Sequence, residues 1–184
     1  MNTLASKGQL RASFFRWALL TVPACVLLGF LAGQLGGGAD SVWFEALVKP
    51  DIYPPPQSFG IVWTILYIMM GISLALVCAA WGARGRVAAI MVFAAHFLLN
   101  LAWTPMFFGA HEITLALYIL AAMIITLVLT IAFFWRVRQL AALLLLPCLA
   151  WVCFATLLNY EFLRLNPTLD GVESPTRAVQ RIEI

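Results

Sequence analysis

Aromatic and amide side chains recur at helical spacing in three apolar stretches of this sequence. Trp63 and Tyr67 lie four positions apart, and Asn100 and Trp103 lie three apart, so each pair shares one face of a helix. The other members of the three stripes are Met70, His96, Phe107, Trp151, Ala155 and Asn159. Neutral hydrogen-bond donors beside indole rings suit a bulky, mostly apolar ligand, whereas charged groups within a membrane usually mark ion or proton paths.

The composition places most of the chain in lipid. Apolar residues make up 64% of the 184 residues and charged ones 10%, against about 45–50% and about 25% in soluble domains. A soluble domain of this size cannot hide so much apolar surface. The net charge of +3 is small and dispersed, so no nucleic-acid partner is expected. The four cysteines lie in apolar stretches without a C-x-x-C pair, so neither a disulfide framework nor a metal site is predicted.

Five apolar stretches are long enough to cross a bilayer, which takes about 20 residues of helix. None has Asp, Glu, Lys or Arg in its interior, and they cover residues 15–35, 59–81, 87–108, 113–135 and 139–162. The sequence therefore predicts an all-α integral membrane protein, a bundle of five transmembrane helices. A cleaved signal peptide is the alternative for the first stretch, but its apolar core is long and no small-x-small cleavage site ends it.

Basic residues predict the orientation of the bundle. Seven of the eleven Lys and Arg residues lie before span one or in the loops after spans two and four, and all eight acidic residues lie on the other side. Cytoplasmic loops are enriched in Lys and Arg, so the N-terminus is predicted in the cytoplasm and the C-terminus outside. This bias, with helical spans throughout, favours a bacterial inner membrane.

Three segments follow from these spans. Residues 1–14 are predicted to form a cytoplasmic segment, residues 15–166 the five-helix domain, and residues 167–184 a flexible polar tail. The loop 36–58 carries apolar residues at helical spacing, which predicts a short amphipathic helix on the membrane surface. Pro54, Pro55 and Pro56 then predict a stiff, extended stretch.

The predicted topology brings the three stripes to a similar depth, in the outer half of the membrane beneath the loop 36–58. A ligand pocket between spans two, three and five follows if the stripes converge. The alternative is structural, because Trp and Tyr anchor helices at interfaces and Asn side chains bridge helices. His96 has the same two interpretations: it could ligate haem iron, but a neutral histidine bonded to a neighbouring helix is the more common case.

Two short patterns lie outside the stripes. Leu158, Tyr160 and Arg164 fit the pattern proposed for sterol contact, which many membrane helix ends match by chance. Gly29 and Gly33 form a G-x-x-x-G pair in span one, which indicates a close-packing face for another helix, within or between chains.

Several runs of residues carry a family resemblance. They are Trp43-Phe44-Glu45-Ala46-Leu47-Val48-Lys49-Pro50, Val62-Trp63-Thr64-Ile65-Leu66-Tyr67, Asn100-Leu101-Ala102-Trp103-Thr104-Pro105, and Phe154-Ala155-Thr156-Leu157-Leu158-Asn159-Tyr160. In this order they resemble the TspO/MBR family, the tryptophan-rich sensory proteins related to the mitochondrial translocator protein. The resemblance implies a five-helix bundle, usually a homodimer in bacteria, that binds porphyrins, haem, sterols or benzodiazepine-type ligands under the first loop. It implies as pocket residues Trp63, Tyr67, Asn100, Trp103, Trp151 and Ala155, and as the sterol-contact motif Tyr160 with Arg164.

The chain departs from the family pattern at three places. Asp51 and Ile52 stand where the family usually has tryptophan, His96 replaces a glutamine, and Cys148 replaces a tyrosine. Porphyrin breakdown by some members is linked to the loop tryptophans, so that activity is not expected here. His96 is predicted to turn an imidazole toward the pocket, where it could tighten haem binding.

These observations predict a membrane receptor or sensor that binds porphyrin, haem or a sterol-like lipid and regulates or translocates tetrapyrroles. It has no catalytic residues and no obligatory cofactor, and its expected partners are the ligand, membrane lipid and a second copy of the chain. The predicted ligand-binding residues are Trp63, Tyr67, His96, Asn100, Trp103, Phe107, Trp151, Ala155 and Asn159. A light- or oxygen-dependent porphyrin-degrading enzyme and a secondary transporter of tetrapyrroles or sterols are the alternatives.

Overall fold

The structure, a computed structural model, describes residues 7–38 and 41–172, and every regular element in these ranges is a helix. The helices are α1 (Lys7–Leu35), α2 (Val42–Ala46), α3 (Pro56–Cys78), α4 (Arg86–Thr104), α5 (Ile113–Val137), α6 (Gln139–Leu143) and α7 (Leu146–Leu165). Five spans are long and apolar enough to cross a membrane, namely α1, α3, α4 with the turn that follows it, α5, and α6 together with α7. The predicted all-α, five-span membrane protein is confirmed. The orientation of its termini stays a prediction.

Prolines shape two of the spans. After α4, Pro105 begins one π-helical turn, Pro105–Gly109, which closes with a hydrogen bond from the Ala110 N–H to the Pro105 carbonyl at 2.9 Å. Pro105 itself has no N–H to continue the α-helical ladder, and the wider turn carries Phe107 into the interior. The last span breaks after α6 and resumes with Pro147 in the first turn of α7, where a missing N–H costs nothing.

The helices form a ring in which each span packs on at least two others, and α3 also contacts α4. α1 packs along α3, α4 along α5, and α5 along α7, while α6 closes the ring against α3 and α1 contacts α4. Fully buried Met70, Leu120, Met123, Leu127 and Val152 fill the centre. Side chains thus fill the bundle completely over the half of its length that lies away from α2.

α1 and α3 approach each other closely at Gly71. A Cβ at Gly71 would lie 2.5 Å from the Cα of Val22, so only glycine lets the two backbones come this near. The Thr21 hydroxyl donates to the Gly71 carbonyl at 2.7 Å and ties the helices together at this crossing.

The loop between α1 and α3 folds over one end of the bundle as a lid, residues 41–55. Ser41 caps α2 by accepting from the Phe44 N–H at 3.2 Å. Trp43, Phe44 and Leu47 are each 3% exposed, because they pack on Phe107 and its neighbours in α5 and α7. The amphipathic helix predicted on the membrane surface therefore packs on the protein. Of the predicted apolar residues, Trp43, Phe44 and Leu47 cover the open end of the bundle, whereas Val48 is 58% exposed.

The segment that follows α7 holds the lid in place. The Asn166 side chain accepts from the Val48 N–H at 2.7 Å and donates to the Val48 carbonyl at 3.0 Å. The Trp43 indole N–H donates to the Leu169 carbonyl at 3.0 Å. The Asp170 carboxylate accepts from the Ile113 N–H at 2.6 Å and so caps α5.

Part of the predicted flexible tail is therefore ordered. Residues 167–172 are bonded to the lid and to the start of α5, and the Gly171 N–H donates to the His111 carbonyl at 2.9 Å. The rest of the predicted tail, 173–184, and residues 1–6 of the predicted N-terminal segment lie outside the described residues. Helix α1 already begins at Lys7, within the segment predicted to precede the first span.

Asn166→Ala should loosen the lid. The change removes both bonds to Val48 and a third to the Phe162 carbonyl, and stranding these backbone groups costs about 1–3 kcal/mol. Thermal unfolding in detergent should shift downward, and proteolytic cleavage within 41–55 should become faster. Glu161→Gln is the matched control, because the Glu161–Arg164 pair lies at the surface and contributes about 0–1 kcal/mol. Equal cleavage of the two variants would contradict this role of Asn166.

Candidate functional site

A cavity of about 480 Å³ lies directly beneath the lid. Four spans and the lid line it. Its residues are Val26, Leu27, Gly29, Phe30, Gly33, Gln34, Gly38, Phe44, Tyr53, Pro56, Phe59, Gly60, Trp63, Thr64, Tyr67, Trp103, Thr104, Phe107, Phe108, Ala155, Leu158, Asn159 and Phe162. Ligand pockets in proteins fall in the range of about 300–1,000 Å³ and are mostly apolar, as this one is.

Most of the predicted stripe residues meet at this cavity. Six of the nine predicted ligand-binding residues line it, together with Leu158 of the sterol pattern: Trp63, Tyr67, Trp103, Phe107, Ala155 and Asn159. The three others, His96, Asn100 and Trp151, do not line it. The stripes of α3, α4 and α7 thus converge, and they do so under the loop as the sequence predicts.

Stacked rings and one amide organise the walls. The Trp63 ring stacks on Tyr67 with centroids 5.5 Å apart, and Trp103 stacks on Phe107 at the same separation. The Trp103 indole N–H donates to Asn159 Oδ1 at 3.3 Å, and Asn159 Nδ2 donates to the Ile113 carbonyl at 3.0 Å. Asn159 therefore fixes the Trp103 ring while joining α4, α7 and the start of α5.

Asn100 lies behind the wall. The Tyr67 hydroxyl donates to Asn100 Oδ1 at 2.8 Å, and Asn100 is only 2% exposed. Its amide nitrogen has no hydrogen-bond partner within the described part of the chain. Asn100 therefore positions the Tyr67 ring at the floor of the cavity, and any ligand would contact Tyr67 before Asn100.

His96 does not face the cavity, contrary to the sequence prediction. Its ring is fully buried, and Nδ1 lies 3.4 Å from the Thr126 hydroxyl of α5. The stripe from His96 to Phe107 covers about 16 Å of helix length, whereas the cavity occupies only the lid end of the bundle. The deeper end of the stripe is therefore packed between helices, as the alternative interpretation of His96 describes. Among the residues that the structure describes, no group of three His, Cys, Asp or Glu could hold a metal ion.

Trp151, like His96, lies too deep in the bundle to line the cavity. It faces the other side of the contact between α3 and α7. It borders a shallow groove with Val62 and Leu66, and its ring meets Phe59 edge-on with centroids 5.8 Å apart. Phe59 lies one turn nearer the lid than Val62 and lines the cavity. It therefore separates Trp151 from the cavity. Trp151 supports the wall from outside.

The residues of the sterol pattern do not share one surface. Leu158 is 5% exposed and lines the cavity, whereas Tyr160 is 51% exposed on the outside of α7. Arg164 is also exposed and pairs with Glu161 at 2.8 Å. Residues two positions apart on a helix point to different faces, so the pattern divides between the cavity and the outer surface.

The contribution of α1 is the part of the cavity that the sequence prediction missed. The described wall includes Gly29 and Gly33, whose G-x-x-x-G spacing indicates a packing face. Gly29 does pack closely, since a Cβ there would lie 2.2 Å from the Tyr67 ring. Gly33 meets nothing within 4 Å and borders open space. The spacing was the available signal, but it does not distinguish contact from cavity.

The cavity is electrically neutral. None of its described lining residues is Asp, Glu, Lys or Arg. The nearest lid cation, Lys49, lies 4.1 Å from the Phe44 ring centroid and donates to the Leu47 carbonyl at 3.1 Å. Burial lowers the pKa of the Lys49 ammonium, and Glu45 partly opposes that shift. Burial also raises the pKa of Tyr53, which keeps its hydroxyl a neutral hydrogen-bonding group in the wall.

Comparison with known proteins gives consistent matches. The model of the TspO/MBR family matches residues 21–165. The Tryptophan-rich protein TspO of Chlorobaculum tepidum is 39% identical, over 80% of this chain and 94% of its own length. The Translocator protein of Sus scrofa is 33% identical, over 80% and 89%. The Tryptophan-rich sensory protein of Cereibacter sphaeroides is 35% identical, over 67% and 77%.

The two glycines of α1 should respond in opposite ways to an added methyl group. Gly29→Ala should destabilise the protein by about 1–3 kcal/mol, because the Tyr67 ring must move and pull away from Asn100. Gly33→Ala should be neutral or stabilise by up to about 1 kcal/mol, the helix propensity gained in open space. Thermal unfolding in detergent compares the two variants, and an equal loss of stability in both would show that the close contact at Gly29 is unimportant.

Proposed function

The chain belongs to the TspO/MBR family, and from that membership we propose that it is a membrane receptor or sensor for a flat, mostly apolar small molecule. Porphyrin, haem and sterol-like lipids are the proposed ligands, and the cavity beneath the lid is the proposed site. One observation carries the proposal: a cavity of about 480 Å³ with aromatic walls and no charged side chain in its described lining. The names of the relatives, which refer to sensing and translocation, support a sensor or translocator role.

Ring faces supply the proposed recognition. Trp63 and Trp103 stand on different helices of the cavity wall, and both present indole surface to its interior. Indole rings bury large areas and stack on flat partners, which suits a macrocycle or a fused-ring lipid. The available polar groups are neutral, so they orient a hydroxyl or carbonyl group of the ligand rather than neutralise a carboxylate.

The lid supplies the proposed signal. Phe44 lines the cavity and also packs against Tyr53, Phe108 and Phe162. An occupant that displaces Phe44 must move α2, and α2 is bonded through Trp43 to the segment after α7. Occupancy of the cavity would thus be reported at the surface of the protein, where another molecule can detect it.

Two rival functions make different demands on the site. A secondary transporter coupled to protons needs an ionisable residue in the membrane interior, and the described cavity lining has no carboxylate. A light- or oxygen-dependent porphyrin-degrading enzyme would bleach protoporphyrin faster than its Trp63→Phe variant. The relatives carry names for sensing and translocation rather than for catalysis, which favours the receptor. The homodimer and the bacterial inner membrane remain predictions.

Substitutions of tryptophan should separate the cavity wall from its outer support. Trp63→Ala and Trp103→Ala should each weaken protoporphyrin binding about tenfold or more, the equivalent of one lost stack of about 1.4 kcal/mol. Trp151→Ala is the matched control, because this indole lies outside the cavity. Spectral titration of the purified protein measures the dissociation constants. Loss of binding in the Trp151 variant alone would place the site elsewhere and contradict the proposal.

Removal of the imidazole should leave haem binding unchanged. His96 is fully buried beside Thr126 and outside the cavity wall, so it cannot reach a ligand under the lid. His96→Gln should therefore give the same haem affinity and the same Soret maximum as the unchanged protein. A shift of the Soret band in the variant would identify His96 as an iron ligand and would require a binding position deeper than the cavity.

A further inference from the structure

The cavity is exposed along one side only. Six of its described lining residues are exposed, and all six belong to α1 or α3: Leu27, Phe30, Gln34, Pro56, Gly60 and Thr64. Those contributed by the lid and by α7 are buried or half-buried, as Phe44 and Phe162 show at 3% exposure each. The cavity therefore opens sideways between α1 and α3, and the lid closes its end.

The clearance around the glycines of α1 and α3 is greater toward the lid. At Gly71 the backbones are in contact, since a Cβ would lie 2.5 Å from Val22. Nearer the lid, Gly29 still contacts α3, but only through the Tyr67 side chain. At Gly33 and Gly60 no atom lies within 4 Å of an added Cβ. The contact between α1 and α3 is thus tight at Gly71 and leaves clearance around Gly33 and Gly60.

Gly33 and Gly60 have no structural role that requires glycine. A glycine within a helix costs about 1 kcal/mol relative to alanine, and it is usually explained by close packing or a positive φ angle. Neither explanation applies, because both residues border open space and neither has positive φ. Both residues line the cavity, so the absence of a side chain leaves clearance at its α1 and α3 edges.

We propose that the gap framed by Gly33 and Gly60 is a lateral portal through which the ligand passes between the lipid and the cavity. This inference rests on the proposed function and adds the route and the class of ligand. Leu27 and Phe30 make the deeper rim apolar, while Gln34 is polar and lies at the lid end, where α1 terminates. A molecule that crosses this rim is dissolved in the bilayer, with an uncharged flat body and its polar group at one edge.

A portal and a binding wall differ in their kinetics. Bulk added to a portal raises the barrier for entry and exit alike, so both rate constants fall and the dissociation constant is unchanged. Bulk or truncation in the wall changes the dissociation constant, mostly through the dissociation rate. Gly33→Leu and Gly60→Leu test the portal, and at both positions an added Cβ meets no atom within 4 Å.

The experiment uses the full chain in lipid nanodiscs and protoporphyrin dimethyl ester, an uncharged planar macrocycle. Stopped-flow quenching of tryptophan fluorescence gives both rate constants. In each leucine variant both rates should fall about tenfold or more. Because Gly33 and Gly60 also line the cavity, the dissociation constant should change as well, but by a smaller factor than either rate. Leu31→Phe is the matched control, because Leu31 lies on the same helix, is 54% exposed and does not line the cavity. Its rates should equal those of the unchanged protein.

Ligand entry through the lid predicts the opposite pattern. Asn166→Ala loosens the lid, so a lid route would make exchange faster in that variant and leave the leucine variants unaffected. That result would overturn the portal. Unchanged rates in Gly33→Leu and Gly60→Leu, with the ester bound normally, would overturn it as well and leave the proposed function intact.

A second readout needs no ligand, and it separates the portal from the proposed function. If the unchanged protein does not bind the ester, the proposed ligand class is wrong, but the opening to lipid can still be measured. Brominated acyl chains quench indoles that they contact, and Trp63 lines the cavity. Trp63→Phe should reduce the quenching of tryptophan fluorescence by brominated acyl chains, because the Trp63 indole is absent. Gly60→Leu should reduce it by the same amount, because acyl chains no longer reach Trp63. Full quenching of Trp63 in Gly60→Leu would show that acyl chains do not enter by this gap.

Discussion

The close crossing of α1 and α3 at Gly71 determines where this bundle can be hollow. At Gly71 an added Cβ would lie 2.5 Å from the Cα of Val22, whereas at Gly33 and Gly60 it would meet no atom within 4 Å. The Thr21–Gly71 hydrogen bond fixes that point in the half of the bundle away from the lid. Side chains fill the crossing region, and the space that opens beyond it becomes the cavity. The tight contact and the cavity thus occupy different levels of the α1–α3 pair, and the lining residues give the cavity its chemical character.

The lid is held by hydrogen bonds as well as by the packing of Trp43, Phe44 and Leu47. Inside the spans, apolar contact and ring packing predominate, because most interior side chains are apolar and helices in lipid associate largely through van der Waals packing. At the lid end, hydrogen bonds join segments that are far apart in the chain: Asn166 pairs with Val48, and the Trp43 indole with the Leu169 carbonyl. Directional bonds of this kind hold α2 in one position over the opening. Because each contributes only about 1 kcal/mol, the lid can move without unfolding the bundle.

The sequence predicted the spans and the converging stripes because both depend on periodicity, which is local. It failed where the outcome depends on depth or on distant partners. His96 and Trp151 share faces with pocket residues but lie at other levels of their helices, and spacing does not give the depth at which a cavity ends. The order of residues 167–172 depends on Asp170 reaching the start of α5, which no local pattern reveals. Gly33 was missed because a residue without a side chain gives no sign of the surface that it leaves open.

The neutrality of the cavity bears on how one site could both sense and exchange its ligand. A buried ion pair would hold a carboxylated ligand tightly, but it would also make release slow and require the ligand to lose its hydration in the membrane. Ring stacking against Trp63 and Trp103 gives affinity without that penalty. A ligand bound in this way exchanges with ligand dissolved in the bilayer, so occupancy follows its concentration there. The bound ligand contacts Phe44 at the base of the lid. The combination of an uncharged wall, an opening along α1 and α3, and a lid fastened outside the spans is what a reporter of ligand dissolved in lipid requires.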